Sequence, residues 1–335
     1  MRASKKEVYN GRLIMLKYEI KMERQGSITS MPDSQRIFGF LMNMLKEYLT
    51  EDNITEFVLN IKKCNEICMI SNLMPTGYIP TPKKYVLDTV SQKENKKEIY
   101  KELKKIDYIK SEKLKKILDK HTCLETKKTG GYFNLKEDEY LSKTRTFQQK
   151  FNLKSQSLGL DGYPNQAYTI PILKVVNENL LETNKFSFFI LIENGSNIAM
   201  GLDTLKDDLK NLGGIDCFLG AKASYGYNCY KIDDIEQTSY NFATEGKKYL
   251  NLGMLLPNQD CIEWEKSHLE IHTSDRNSYD IYNKKKKVIS FIKEGSVIEL
   301  TKDAGHKNIG ISIENPYNLS YKSAIVFGNS YFIEI

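Results

Sequence analysis

Residues 185–232 read KFSFFILIENGSNIAMGLDTLKDDLKNLGGIDCFLGAKASYGYNCYKI, and the order of elements within them decides the fold. The opening KFSFFILIE is rich in aromatic and β-branched residues and reads as a strand. A helix follows from about Leu202 to Leu212, stopped at Gly213-Gly214 because glycine reaches the left-handed conformation that ends a helix. The glycine-spaced loop around Gly220 and Gly226 then leads into SYGYNCYKI, a second strand. Upstream, RLIMLKYEIKM (12–22) alternates as a strand and RQGSITSMP (24–32) is a polar loop. Asp33 caps a helix whose apolar stripe is Ile37, Leu41, Leu45 and Leu49. AYTIPILKVV (167–176) is also strand-like. Strand, helix, strand, strand, helix, strand is the ferredoxin-like order, an α+β fold with two helices on one face of an antiparallel sheet.

That order requires the intervening basic segment to be an insertion. Residues 93–128 hold thirteen lysines against seven Asp and Glu, an excess equal to the whole net charge of +6 on this 335-residue chain. Within it, Ile99, Leu103, Ile106, Ile109, Leu114, Ile117 and Leu118 fall at helix-compatible spacing with lysine outside, so a lysine-coated helical insertion is expected at about 90–128. The lysines suit either a solvated face or one turned toward nucleic acid. Beyond Glu245 nearly every segment is strand-like, from KYLNLGMLLP through YKSAIVFGNSYFIEI, and only PNQDCIEWEK (257–266) looks helical. The expected organisation is a first domain over 1–244 and a smaller, β-rich second domain over 245–335, a degenerate copy of the first, each with its own core.

Several functions are disfavoured by composition. The longest apolar run, Phe186–Ile192, is far short of the roughly 20 residues a membrane span needs. The basic N-terminus has no sustained apolar stretch or small-residue cleavage site, so a cytoplasmic protein without membrane contact is expected. The six cysteines contain one close pair, Cys64 and Cys68, and no second pair to complete a zinc site. Along a strand, His268, Glu270 and His272 would share a face, more often a polar surface than a metal site. No cofactor or metal is expected. Neither is an enzyme: the four histidines lie outside the motifs below, with no convergent acid-base pair.

The loop at Gly220-Ala-Lys222-Ala-Ser224-Tyr225-Gly226 can drape main-chain N–H groups over an anion, since glycine permits positive φ and close approach. Together with Gly26-Ser-Ile-Thr-Ser-Met-Pro-Asp33-Ser34-Gln-Arg36-Ile37-Phe38, Glu294-Gly-Ser-Val297 and Leu73-Met-Pro-Thr-Gly-Tyr-Ile-Pro80-Thr-Pro-Lys83, it resembles the fourth subunit of the type III-A CRISPR Csm effector complex. That family belongs to the RAMP superfamily and grips the 5′ handle of CRISPR RNA, and the resemblance spans nearly the whole chain. It implies two ferredoxin-like (RRM-like) RAMP domains and a non-catalytic RNA-binding scaffold. The implied partners are the crRNA handle, a large polymerase-like subunit, a backbone RAMP subunit and, indirectly, target RNA. A RAMP-type processing endonuclease and a purely structural adaptor are the alternatives. Carried onto this chain, the resemblance makes Ser34, Arg36, Gly220, Lys222, Ser224, Tyr225 and Gly226 candidate RNA contacts. Lys143, Arg145 and Lys150 lead into FNLKSQSLGLDGYPNQAY (151–168), a thumb-like hairpin with Lys154, Tyr163 and Tyr168 as further contacts. Ala221, Ala223 and Asn228 depart from the family pattern, Asn228 standing where another glycine is usual.

Overall fold

The computed structural model describes residues 8–9, 12–90, 96–118, 139–153, 166–220, 222–240, 248–274, 288–301, 309–315 and 324–335. A two-residue hairpin, β1 (Val8–Tyr9) with β2 (Arg12–Leu13), precedes β3 (Met15–Arg24), the strand on which the main sheet is built. Met15, Tyr18, Ile20 and Met22 are buried along β3. The loop after β3 ends at Asp33, whose carboxylate accepts the Arg36 N–H and starts α1 (Ser34–Met44). After a 3-10 turn, Thr50 caps a second helix, α2 (Glu51–Lys62), in a segment for which the sequence carries no expectation above. Then follow β4 (Cys68–Ile70), β5 (Met74–Pro75), β6 (Tyr78–Pro80), α3 (Lys83–Val90), α4 (Lys96–Lys105), β7 (Tyr108–Lys110) and α5 (Leu114–Leu118). The long strands β8 (Tyr140–Leu153) and β9 (Gln166–Val176) come next, then β10 (Lys185–Glu193), α6 (Asn197–Leu212), β11 (Ile215–Phe218) and β12 (Cys229–Tyr240). Ser196 caps α6, and Gly213 ends it at φ +64°, as its sequence position predicts.

The main sheet runs β11-β12-β3-β10-β4, with β5 also paired to β10 and all partners antiparallel. Numbering β3, β4, β10 and β12 as strands one to four gives the order 4-1-3-2, the split arrangement of the ferredoxin-like pattern. The α6 helix crosses the turn between α1 and α2 at Gly201, where a Cβ would lie 3.1–3.2 Å from Leu49 and Leu45. From the sheet, the buried Tyr18 hydroxyl donates to Asp203 Oδ1 on α6 at 3.0 Å.

Two elements depart from expectation. The second strand of the pattern is Cys-Met-Ile at 68–70 rather than AYTIPILKVV: those residues form β9, which pairs with β8 from Ser142↔Val176 to Leu153↔Gln166 in a separate sheet, β6-β7-β8-β9. A three-residue strand buried on all sides carries no alternation for a sequence reading to detect. The lysine-rich segment is not helical throughout either, because Tyr108–Lys110 pairs with β6 and β8 and buries Tyr108 and Ile109.

The remaining strands are β13 (Lys248–Asn251), β14 (Ile271–Ser274), β15 (Ile289–Ile292), β16 (Val297–Glu299), β17 (Ile313–Glu314), β18 (Ile325–Val326) and β19 (Phe332–Glu334). They form the sheet β16-β13-β19 and the pairs β14-β15 and β17-β18. PNQDCIEWEK is not a helix. Only Gln259–Cys261 makes a 3-10 turn, because flanking backbone is drawn into bridges, Pro257 with Gly310 and Ile262 with Leu300. Among the described residues from 248 onward there is no α-helix, so a copy of the first order lacks its helix layer there. Among the described residues, buried side chains from both parts of the chain contribute to one contiguous cluster. Among the described residues no helix is long and apolar enough to cross a membrane.

A tight seam joins the two parts. Ile70 N–H donates to Asn329 O at 3.1 Å and Tyr331 N–H to Ile70 O at 3.2 Å, a parallel extension of the β4 edge. Phe38 stacks on Phe327 with ring centroids 4.3 Å apart. Gly253 lies in this seam, where a Cβ would be 2.7 Å from both Ile70 O and Ser330 Oγ. Gly253→Ala should therefore destabilise the protein by about 1–3 kcal/mol, the usual cost of overpacking. Gly39→Ala, in α1 with nothing within 4 Å, should instead stabilise it by up to about 1 kcal/mol. Thermal unfolding of both variants checks the pair; an unchanged melting temperature for Gly253→Ala would show that the seam is loose.

Candidate nucleic-acid interface

The end of β3 launches the loop 25–33, and the glycine loop 219–228 lies directly against it. Gln25 and Gly26 donate their N–H groups to Cys229 O at 2.9 and 3.2 Å, and Ser27 bridges Tyr227 in parallel. Asn228 fastens the two loops. It is fully buried at φ +55°, in the left-handed region that asparagine tolerates better than other non-glycine residues. Its N–H donates to Ser27 O at 2.8 Å, its Oδ1 accepts Thr29 N–H at 2.9 Å, and its Nδ2 donates to Thr29 Oγ1 at 2.9 Å. Its own carbonyl accepts the Leu219 N–H at 3.0 Å. The Asn228 side chain comes so near Gly220 that a Cβ there would meet it at 2.6 Å. Gly26 has the same constraint, its Cβ position lying 2.1 Å from Gly226 O.

The hairpin β8–β9 is the third component. Leu173 N–H donates to Ile28 O at 2.7 Å, and Tyr227 packs on Ile170 and Ile172 in a small cluster apart from the main core. At its base Glu182 joins Arg24, and Lys174 at 3.2 Å. Burial pushes the Glu182 carboxyl up, but Arg24 and Lys174 outweigh it and hold it below the ordinary carboxylate range.

Above these supports, Lys222, Ser224, Tyr225 and Gly226 are exposed, the Tyr225 ring 65 % so. Lys222 is left-handed at φ +64°, and Ala223–Tyr225 continues right-handed as a 3-10 turn. The Lys222 carbonyl accepts the Tyr225 N–H at 3.0 Å and the Tyr227 N–H at 3.3 Å, which closes the turn on itself. Gly226 closes the turn at φ +77° and donates its N–H to Ala223 O at 2.8 Å. Arg36 reaches the same region from the first turn of α1, its Nη1 donating to Ser30 Oγ at 3.1 Å. Arg145 is exposed on β8.

Two candidate contacts are placed elsewhere. Ser34 has no exposed surface: its hydroxyl accepts Met254 N–H at 2.9 Å and its N–H donates to Asn72 Oδ1 at 2.7 Å, so it serves the seam. Lys143 turns its ammonium to the Tyr108 ring, 4.7 Å from the centroid, and lies 3.8 Å from Glu294. Burial pulls that ammonium down, but Tyr108, Glu294 and Asp107 outweigh it and hold it above the ordinary lysine range. The Glu-Gly-Ser-Val motif belongs to this same junction: at Gly295, φ +86°, a Cβ would lie 2.8 Å from Thr81 O, and Ser296 is buried. Lys154 and Tyr163 lie outside the described residues, as do the side chains of Lys150 and Tyr168.

Among the described residues no group of three or more His, Cys, Asp or Glu could hold a metal. His268 Nδ1 instead meets Asp88 Oδ2 at 2.8 Å, with Tyr85 edge-on to the imidazole.

The arrangement defines a mixed α/β protein of curled antiparallel sheets in which the Gly26 loop, the Gly220 loop and the hairpin β8–β9 are hydrogen-bonded to one another. No protein-family model and no curated protein matches the sequence. Solved structures do. A chain of the Csm3-Csm4 subcomplex of the type III-A CRISPR-Cas interference complex superposes with a TM-score of 0.55 at 14 % identity, covering 96 % of this chain and 99 % of that one. A chain of the Csm1-Csm4 cassette in complex with cA4 gives 0.53 at 13 % identity, covering 96 % and 98 %. Csm4 is the component these assemblies share, and this chain has its fold.

Two outcomes test this geometry. Asn228→Ala should destabilise by about 1–3 kcal/mol through the unpaired Thr29 groups, with Asn228→Gly less costly because it keeps the backbone free of strain; equal stability of all three proteins in denaturant titrations would show that the loops are not joined through this side chain. Because the folded Glu182 carboxyl is held low, its stabilisation is present above the unfolded carboxylate pKa and is lost as pH falls through the folded value. Glu182→Gln should therefore lose less stability on acidification below about pH 5 than the parent, measured by thermal unfolding across that window.

Proposed function

We propose that this chain is the Csm4-type subunit of a type III-A CRISPR interference complex and anchors the 5′ handle of crRNA through the glycine loop. The observation that carries the reading is the Asn228 junction, which holds the exposed turn with Lys222, Ser224 and Tyr225 beside the end of the central strand. Handle phosphates would sit on the turn and Lys222, with Ser224 donating a hydrogen bond and Tyr225 offering a flat face to a base. Arg36 and Arg145 flank that surface, and the hairpin β8–β9 is the thumb-like element, bearing on guide and target. The fold and its coverage support a scaffold role without catalysis, acting in the cytoplasm. The partners by this reading are the large polymerase-like subunit and the backbone RAMP subunit. A division into RAMP domains near residue 244, the second β-rich, belongs to the same reading.

The test is binding of handle RNA to the purified chain, alone and with the two partner subunits. Gly226→Val forces a β-branched residue to φ +77°, which should cost about 1–3 kcal/mol of stability while abolishing handle binding under conditions where the variant remains folded. Lys222→Ala should weaken binding modestly and flatten the salt dependence by about 0.7 units of slope per phosphate contact. Loss of stability without selective loss of affinity would overturn the handle reading. Metal-independent cleavage of repeat RNA in the same assays, abolished by His268→Ala, would favour a processing endonuclease instead.

A further inference from the structure

The lysine-rich helix α4 takes no part in the loops at Gly26 and Gly220, yet its faces are sharply divided. Leu103 is buried, as is Ile106 just past the helix end. Lys97, Tyr100, Lys101 and Lys104 are exposed. Their spacing, i, i+3, i+4 and i+7, puts all four on one face. The face runs about 10 Å along the helix axis. None of its three lysines has an acidic partner among the described residues, whereas Lys105 pairs with Glu102 at 3.0 Å and Lys83 with Asp107 at 2.8 Å. The Tyr100 ring, 50 % exposed, stands between the charges.

The helix is also held rigidly. Lys83 Nζ donates to Lys104 O at 3.1 Å as well as to Asp107. Asp107, at the entry to β7, accepts the Lys143 N–H at 2.7 Å, so α4 is tied to the base of the hairpin sheet. A row of cations with no acidic partner among the described residues, on a fixed support, suits a polyanion, and a half-exposed aromatic among them suits a polyanion that also carries flat groups free to stack. An acidic peptide would leave the ring idle, and a duplex would hide its bases.

We propose that this face of α4 is a second binding site, for single-stranded RNA, with Lys97, Lys101 and Lys104 on phosphates and Tyr100 stacked on a base. The choice of RNA rests on the function proposed above; the recognition of a flexible polyanion with exposed bases does not. Because no base edge is read, binding is indifferent to sequence.

The experiment uses the full chain and a fluorescein-labelled 15-nucleotide oligouridylate containing no handle sequence, titrated at several salt concentrations. Replacing Lys97, Lys101 and Lys104 together by Ala should flatten the slope of log affinity against log salt by about two units, at about 0.7 per contact. Tyr100→Ala should lower affinity about fivefold or more at fixed salt with the slope unchanged. An unchanged slope in the triple variant overturns the site. So does a Tyr100→Ala loss equally large on a 15-base-pair RNA duplex, or competition by polyglutamate as effective as unlabelled oligouridylate. Lys222→Ala, measured in parallel on handle RNA, keeps the two readings separable: its failure bears on the glycine loop, and failure of the oligouridylate series bears on α4 alone.

Discussion

A strand paired along both edges cannot slip without breaking two ladders at once, and β3 is such a strand, with β10 on one side and β12 on the other over nearly its whole length. Slipping by one residue would also turn Tyr18, Ile20 and Met22 from the core to the opposite face. This double constraint fixes where the chain leaves the sheet after Arg24. It also fixes where the neighbouring β12 begins, at Cys229, whose carbonyl receives Gln25 and Gly26. The two loops are thus set side by side before any loop residue contributes, and Asn228 only has to lock what the ladder has aligned. A surface carried on such a support inherits its rigidity, and rigidity of that kind lowers the ordering cost of binding.

The same support explains why charge alone is a poor guide to function here. Arg24, Lys143 and Lys174 are cations, yet each faces a carboxylate of the fold itself. Those contacts join the hairpin sheet to its neighbours. Exposure alone is no better a guide, since Lys46, Lys63, Lys115 and Lys210 are exposed on elements far apart in the sequence.

Much of the fold was legible in the sequence because its signals are local. The alternation of β3, the run of β10, the Asp33 cap and the Gly213 stop each depend on a few adjacent residues and were found where expected. The convergence of the Gly26 and Gly220 segments was foreshadowed only by their resemblance to one family. Other features were not readable, since their meaning lies in a partner distant along the chain. Cys68–Ile70 is a strand because of β10 and Tyr331; Ser34 is buried because of Met254; Lys143 is engaged because of Glu294. Asn228 is the instructive case. It looks like a glycine position filled wrongly, but the left-handed backbone it tolerates and the amide it adds together make the junction. The only sequence hint was an asparagine in a place that calls for positive φ.

The parallel contact between Ile70 and Ser330 has a consequence for how the chain is made. Strand β4 emerges early in synthesis, whereas the residues that cover its outer edge, Asn329–Tyr331, lie near the end of those described. Until then a nascent chain holds the main sheet with its β4 ladder open, the kind of edge that recruits stray strands. Domains usually fold as they leave the ribosome, but this one cannot close its sheet by that route. The closing strand must also bring together points nearly a chain length apart, a contact between distant segments that slows folding. A ribosome-stalled or proteolysed form ending before Asn329 would thus present an adhesive edge that the finished protein conceals.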